Sequence, residues 1–313
     1  MAFVNQGRQT GTGGVLYYYY NGSNSGFYMG GANHNDEHCG GCGSGIGYTY
    51  NDVKKIQFSN DGYSVSGVTL PGNSAHGVGV ASLTHGYHCA RGAGNTIERF
   101  SFASQSGATA SVGTLSTSGY YTSGHSSDSN GYMTGLGNIY KFSFASSSSG
   151  PDVGNLTTST TWKSGSSSSS HGYTCGGGTT NNIERFAYAN EVQANDVGDL
   201  AYTTQEWAGG TDSNQERGYA YGGGQTVRFN FASSSPGTDV GNLNDNYTSR
   251  GTGMSSTTSC YAAGGAVHGI VIERFEFANE TTSTNVGNIG GRPGNPNVIS
   301  GNWNRYSGAT TQF

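Results

Sequence analysis

His34, His38, Cys39 and Cys42 fall within the stretch HNDEHCGGC, the densest cluster of metal-ligand types in the chain. Two imidazoles and two thiolates suit a tetrahedral zinc ion, with Asp36 and Glu37 as alternative ligands. His38 and the adjacent Cys39 can both ligate only if the backbone turns sharply, which Gly40 and Gly41 permit. The spacing matches no known finger, and a solvated loop with a Cys39–Cys42 disulfide or free thiols competes with it. Zinc is the only cofactor the sequence offers. Bound there, it would staple a loop rather than catalyse.

A second chemical pattern is spread over the whole chain. Gln57, Arg99, Lys141, Arg185, Arg228 and Arg274 each precede a phenylalanine by one residue, so five of the 14 basic residues share one register. Such a row would make a cationic ring for an anionic ligand. The competing reading is a structural clamp. Glu98, Glu184 and Glu273 stand one residue earlier, on the opposite strand face, so neighbouring blades would present Glu to Arg. The clamp is expected, with Arg99, Arg185 and Arg274 largely buried. No GxSxG elbow, HExxH or Walker loop occurs. Glycosidase carboxylates would have to converge from loops that are mostly Ser, Thr, Gly and Asn.

These residues need an architecture to hold them, and repetition supplies it. Phe58, Phe100, Phe142, Phe186, Phe229 and Phe275 follow one another at 42, 42, 44, 43 and 46 residues, within the range of four-stranded propeller blades. Each unit has four pieces: a Ser/Gly-rich strand (WKSGSSSS), a GY strand ending in glycines (GYTCGGG), the IERFAYA strand, and a DVGDL segment. In the third piece Phe186 and Tyr188 point one way and Ile183 and Ala189 the other. Both faces are apolar, so the sheet must be sandwiched, as radial blades achieve. The glycines after the tyrosine are expected to let blades approach closely near the axis. The fold class is therefore all-β, a single propeller with six blades; a seventh, composite blade from both termini is the rival count. Residues 1–25 form an N-terminal arm or closing strand, and 26–313 the propeller with a C-terminal closing segment. The tail VISGNWNRYSGATTQF is expected to pair with GGVLYYYY.

Composition sets outer limits. The chain has 313 residues, 55 of them glycine, a formal net charge of -5 and only 11% charged residues. Nucleic acid is not expected as a partner, for want of a basic face interleaved with aromatics. No apolar run approaches a membrane helix, and no secretory leader is recognisable. Five cysteines preclude full pairing; Cys89 and Cys175 read as buried thiols.

The GYxxGG and IERFxFA…DVGxL words resemble kelch-type β-propellers, and more closely the kelch-like repeat proteins of marine bacteriophages, over roughly residues 45–290. Typical kelch units carry a regular tryptophan; only Trp162 and Trp207 sit at matching places here. The resemblance implies a non-enzymatic virion protein in tail, fibre or head decoration, in multiple copies per particle. Its partners would be other virion proteins and a host-surface glycan or protein. A carbohydrate-binding or glycoside-active propeller and a cellular kelch-type scaffold are the alternatives. The expected presenting loops are Ser126–Asn130, Ser166–Ser170 and Asp212–Glu216.

Overall fold

The computed structural model describes residues 25–30 and 46–288, except short stretches at 75–76, 92–93, 119–122, 147–148, 162, 191–192, 204–207, 213–215, 223, 234–235, 245–251 and 264–270. It also describes strands 9–10, 16–17, 32–34, 303–305 and 309–312. For these five strands and for 46–50 and 208–212 the description is of backbone alone. Trp162, Trp207 and Tyr18–Tyr20 lie outside the described residues.

Every element is a strand, and the strands form six blades of a β-propeller. From axis to rim, blade two is Val78–Ala81, His85–Cys89, Thr96–Ser101 and Ala110–Thr114. Blade three is Ser123–Ser126, Asn130–Gly135, Asn138–Ser143 and Asp152–Asn155. Blade four is Ser164–Ser167, His171–Cys175, Asn182–Ala187 and Asn195–Asp199. Blade five is Ala208–Asp212, Arg217–Gly222, Gln225–Asn230 and Thr238–Asn242, and blade six Thr252–Ser255, Ser259–Ala263, Val271–Glu276 and Thr284–Asn288. Within these blades neighbouring strands are antiparallel.

Blade one is composite. Ser25–Met29, Ile46–Gln57 and Gly62–Ser74 supply three strands, and Ala309–Gln312 from the tail supplies the innermost. The tail thus lies on Ser25–Met29, while Leu16–Tyr17 pairs with Gln9–Thr10. Its register explains the choice. Ala309 faces Tyr28 where Gly79, Gly124, Gly165, Gly210 and Gly253 face the second strands of the other blades. A small residue is wanted there because the innermost strands crowd together: a methyl on Gly124 would strike the Gly79 carbonyl. Ala32–His34 and Trp303–Arg305 extend this blade beyond Ile46.

The repeated words have separate mechanical meanings. The ring of the GY strand enters an aromatic slot of the next blade. Tyr87 meets Phe142 and Phe144 with centroids 5.2 and 5.1 Å away, and Tyr132 meets Phe186 and Tyr188 at 5.7 and 4.7 Å. Tyr173 meets Phe229 and Phe231, Tyr219 meets Phe275 and Phe277, and Phe27 meets Phe100 and Phe102. Tyr261 stacks on Phe58 at 4.9 Å and closes the ring. Such pairs add about 0.5–1.5 kcal/mol each beyond burial. The close approach of blades belongs to innermost-strand glycines such as Gly124, whereas the glycine before the aromatic makes room within its own blade: Gly172 lies opposite Phe186, whose ring occupies the space a methyl would need. The glycines after Tyr173 do something else. Gly176, Gly177 and Gly178 have φ of 64°, 96° and 59° and form the turn to the third strand.

The DVG word marks a bulge in the rim strand, where the register shifts opposite Ile139, Ile183, Thr226 and Ile272. Asp152, Asp196, Asp239 and Asn285 each accept a hydrogen bond from the glycine amide two residues on. The leucine that follows, at 115, 156, 200 and 243, is buried between blades. At the rim, one amide of each later blade donates to a carbonyl of the blade before. Thr109 donates to Thr69, Gly150 to Thr114, Ala194 to Asn155, Gly237 to Asp199 and Ser283 to Asn242, over 2.6–2.8 Å.

Candidate functional site

In blades two to six the hairpins joining strands one to two and three to four emerge at the same end, and blade one, whose first strand is the tail, adds its three-to-four hairpin, which makes one loop face. The first hairpins share a frame. The amides of Ser82, Ser127, Ser168 and Ser256 donate to the carbonyls of His85, Asn130, His171 and Ser259. Each serine hydroxyl accepts the returning amide three residues on. Of the loops expected to be exposed, Ser126, Ser127 and Ser166–Ser168 are buried, and Asp128–Ser129 and Ser169–Ser170 are exposed. In the third, 213–215 lie outside the described residues and Glu216 is exposed. The serines go inward because an innermost strand is a sheet edge with unpaired amides. The Ala81 amide donates to Ser126 Oγ, and the Ser126 amide to Ser167 Oγ, both at 3.2 Å.

The register of bases and the register of glutamates serve different places. The bases stand half-buried near the loop face. Arg274 is ion-paired to Asp61 of blade one, whose other oxygen accepts from Tyr261 at 2.9 Å. Arg228 is ion-paired to Glu280 of blade six, which also takes Arg217 and the Tyr219 hydroxyl. Between blades one and two the link is Lys55 to Gln105, at 3.0 Å. Lys141 lies over the Tyr132 ring. Arg99 and Arg185 stand beside His85 and His171, whose basicity is lowered by burial and then by these guanidinium charges. Asp61 and Glu280 belong to the turn after the third strand of the next blade, not to the glutamate register, and Arg274 also has Glu276 of its own strand at 3.4 Å. Asp61 and Glu280 hold left-handed φ of 55° and 45° there, and Gln105 has 45° at the matching turn.

Glu98, Glu184 and Glu273 are buried, at most 1% exposed, and each has partners of its own. Glu184 is bonded to Lys163 and to Thr157 and Thr158, which follow the rim strand of blade three. Ser283 Oγ donates to Glu273. Glu98 takes Arg91 at 2.8 Å and faces His88 Nδ1 at 3.6 Å. Burial pushes the Glu98 carboxyl up, but His88 and Arg91 outweigh it and hold it below the usual range.

His88 Nε2 also meets Ser74 Oγ at 3.2 Å, so hydroxyl, imidazole and carboxylate stand in series. The order is that of a hydrolase triad, yet Ser74 and His88 are 0% exposed, so a substrate has no approach to Ser74 in this conformation. A second buried group spans blades three and four. His125 Nε2 lies 3.2 Å from Ser123 Oγ and Thr174 Oγ1, and Nδ1 lies 3.0 Å from the Ser166 carbonyl. Burial brings His125 down to about 4, so the ring is neutral. Cys89, Cys175 and Cys260 are buried free thiols, and burial pushes the first two up.

His38, Cys39 and Cys42 lie outside the described residues; of His34 only the backbone, paired with Trp303 and Ile46, is described. Among the described residues no three His, Cys, Asp or Glu side chains gather as a metal set. No described helix is long and apolar enough to cross a membrane. No protein-family model matches this chain, and no curated protein matches it.

Proposed function

We propose that this chain is a non-enzymatic virion protein of a bacteriophage, held by other particle proteins, and that its propeller is a platform presenting the loop face to a partner or host surface. The observation that carries the platform reading is a constant frame with changing tips. The same Ser-x-x hairpin displays Leu83–Thr84, Asp128–Ser129, Ser169–Ser170 and Thr257–Thr258 in blades two, three, four and six. A frame fixed by backbone and serine bonds, with tips free to differ, is how rigid scaffolds carry recognition loops. Glu98, Glu184, Glu273, His88 and His125 are meanwhile buried. The resemblance of the repeat words to marine phage proteins supports the virion. Tail, fibre and head decoration are all compatible places.

The experiment is mass spectrometry of purified particles, followed by exchange of the four tip pairs for Gly-Ser. The protein should be present at many copies per particle, and the tip variant should assemble but adsorb differently to host cells. Absence from purified particles refutes the virion reading. Unaltered adsorption by the tip variant refutes the presenting role of the tips.

A further inference from the structure

We infer that the outer edge of blade one, along Gly62–Ser66, is a contact between two copies of this chain, which join their sheets by antiparallel strand pairing about Ser64. The inference goes beyond the function proposed above and does not depend on it. Blade one differs from the others at its rim. In blades two to six the rim strand has four or five residues, pairs with three or four residues of the third strand and bulges. In blade one it has 13 residues, and Gly62–Val65 pairs without interruption with Gln57–Lys54, up to the hairpin itself. The next blade adds Ser106–Ala108 in parallel along Gly67–Thr69 of the same edge, so this edge accepts a further strand. Beside Gly62–Ser66 no strand of the described residues pairs with it. Ser64 and Val65 point to opposite faces of the sheet, and both are exposed. Val65, at 59%, is the most exposed large hydrophobic side chain among the described residues.

An unpaired edge is a template for another strand unless something guards it. The rims of blades two to six are bent by their bulges, and those of blades three to five also carry Asp152, Asp196 and Asp239. The run Gly62–Leu70, GYSVSGVTL, has no charged residue and no proline, and it is rich in strand formers. Its order also says which strand fits. In an antiparallel pair centred on Ser64, Gly62 lies opposite Ser66 of the other copy, and Tyr63 opposite Val65. Tyr63 and Val65 share a face, so the twofold axis makes two aromatic–β-branched pairs, a favourable cross-strand combination. With no charge in the paired run, a chain of net charge -5 meets itself there without opposing like charges. Five residues span about 17 Å, and one such pair covers less than the roughly 1,200 Å² of a stable interface. The contact is therefore one that copies make when they are concentrated.

The test is analytical ultracentrifugation of the full chain from micromolar to near-millimolar concentration. The parent should pass reversibly from monomer to dimer. Val65→Lys places an ammonium on the edge and should weaken the dimer tenfold or more. Val65→Ile keeps the branched side chain and should leave the dimer unchanged. Because Val65 is exposed, both variants should keep the urea midpoint of the parent. The register has its own check. Ser64 lies opposite itself, and cross-strand Cα separations of about 4.5–5.5 Å are within disulfide reach. Ser64→Cys should therefore give a disulfide-linked dimer on mild oxidation that the parent does not give. Ser111→Cys, exposed on the rim of blade two, should give none. A parent that stays monomeric at the highest concentration overturns the inference. So does a dimer that Val65→Lys leaves intact, or one that Ser111→Cys links as readily as Ser64→Cys. Should Val65→Lys fail to fold, the comparison of the two cysteine variants decides alone. These outcomes are independent of whether the protein is found in particles.

Discussion

Replacing Lys163 by Met tests how the buried carboxylates hold adjacent blades together. Lys163 and Glu184 are each 1% exposed, and Glu184 is also bonded by the Thr157 hydroxyl and by the Thr158 amide and hydroxyl of the preceding blade. Lys163→Met keeps the volume and removes the ammonium, leaving a buried carboxylate with three neutral donors and no countercharge. Breaking one side of such a pair costs about 3–5 kcal/mol. Glu184→Gln strands the ammonium with only Thr158, whose hydroxyl lies 2.5 Å away and whose carbonyl 3.4 Å, and should cost a similar amount. The double variant has no buried charge, and the amide oxygen still accepts from Thr157 and Thr158. It should be more stable than either single variant, which makes the coupling about 3 kcal/mol or more. Urea unfolding of the four proteins gives the cycle, provided the slopes agree. Additive single effects, to within about 0.5 kcal/mol, would refute the reasoning, as would a Lys163→Met protein as stable as the parent.

Three further outcomes are expected. Gly172→Ala drives a methyl into the Phe186 ring and should lower stability by about 1–3 kcal/mol; Phe186→Leu in the same chain should relieve part of the clash, and an unchanged urea midpoint for Gly172→Ala would contradict it. His125 is brought down to about 4 from 6.5, so its contribution is whole above pH 6.5 and drains away as pH falls towards 4, by about 3 kcal/mol in all. Stability measured against pH should show that slope in the parent and lose it in His125→Gln. Thr310→Pro removes an amide from the tail strand opposite Phe27 and should open blade one at its inner edge. Self-association by light scattering and a lower melting temperature are the expected signs.

The blade count was legible because an anchor phenylalanine sits on the third strand of blades two to six; in blade one the anchor place opposite Gly26 is held by Ile56 and the base by Lys55, so the expected Phe58 and Gln57 stand two residues past them. The two dry faces of IERFAYA were legible for the same reason: alternation along one strand is local. The aromatic slot was not, because Tyr173 and the Phe229–Phe231 pair that receives it are more than 50 residues apart, and both look like ordinary core. The partners of the bases were hidden similarly. Asp61 and Glu280 are lone acids in turns, and what marks them, a left-handed φ, is a property of the folded chain. The tail was hard to place because a Ser/Thr/Gly-rich strand resembles a loop until the crowding at the axis is known.

The rim bonds have a consequence for how force would travel through the ring. Amides of blades two to six each donate to the blade before, and the Ser116 amide donates back to the Gly150 carbonyl of the blade after at 2.9 Å. A tangential pull on one blade therefore loads its neighbour through short backbone bridges in shear, before any side chain has to move. Such a ring behaves as a hoop whose segments are joined at the rim by main chain.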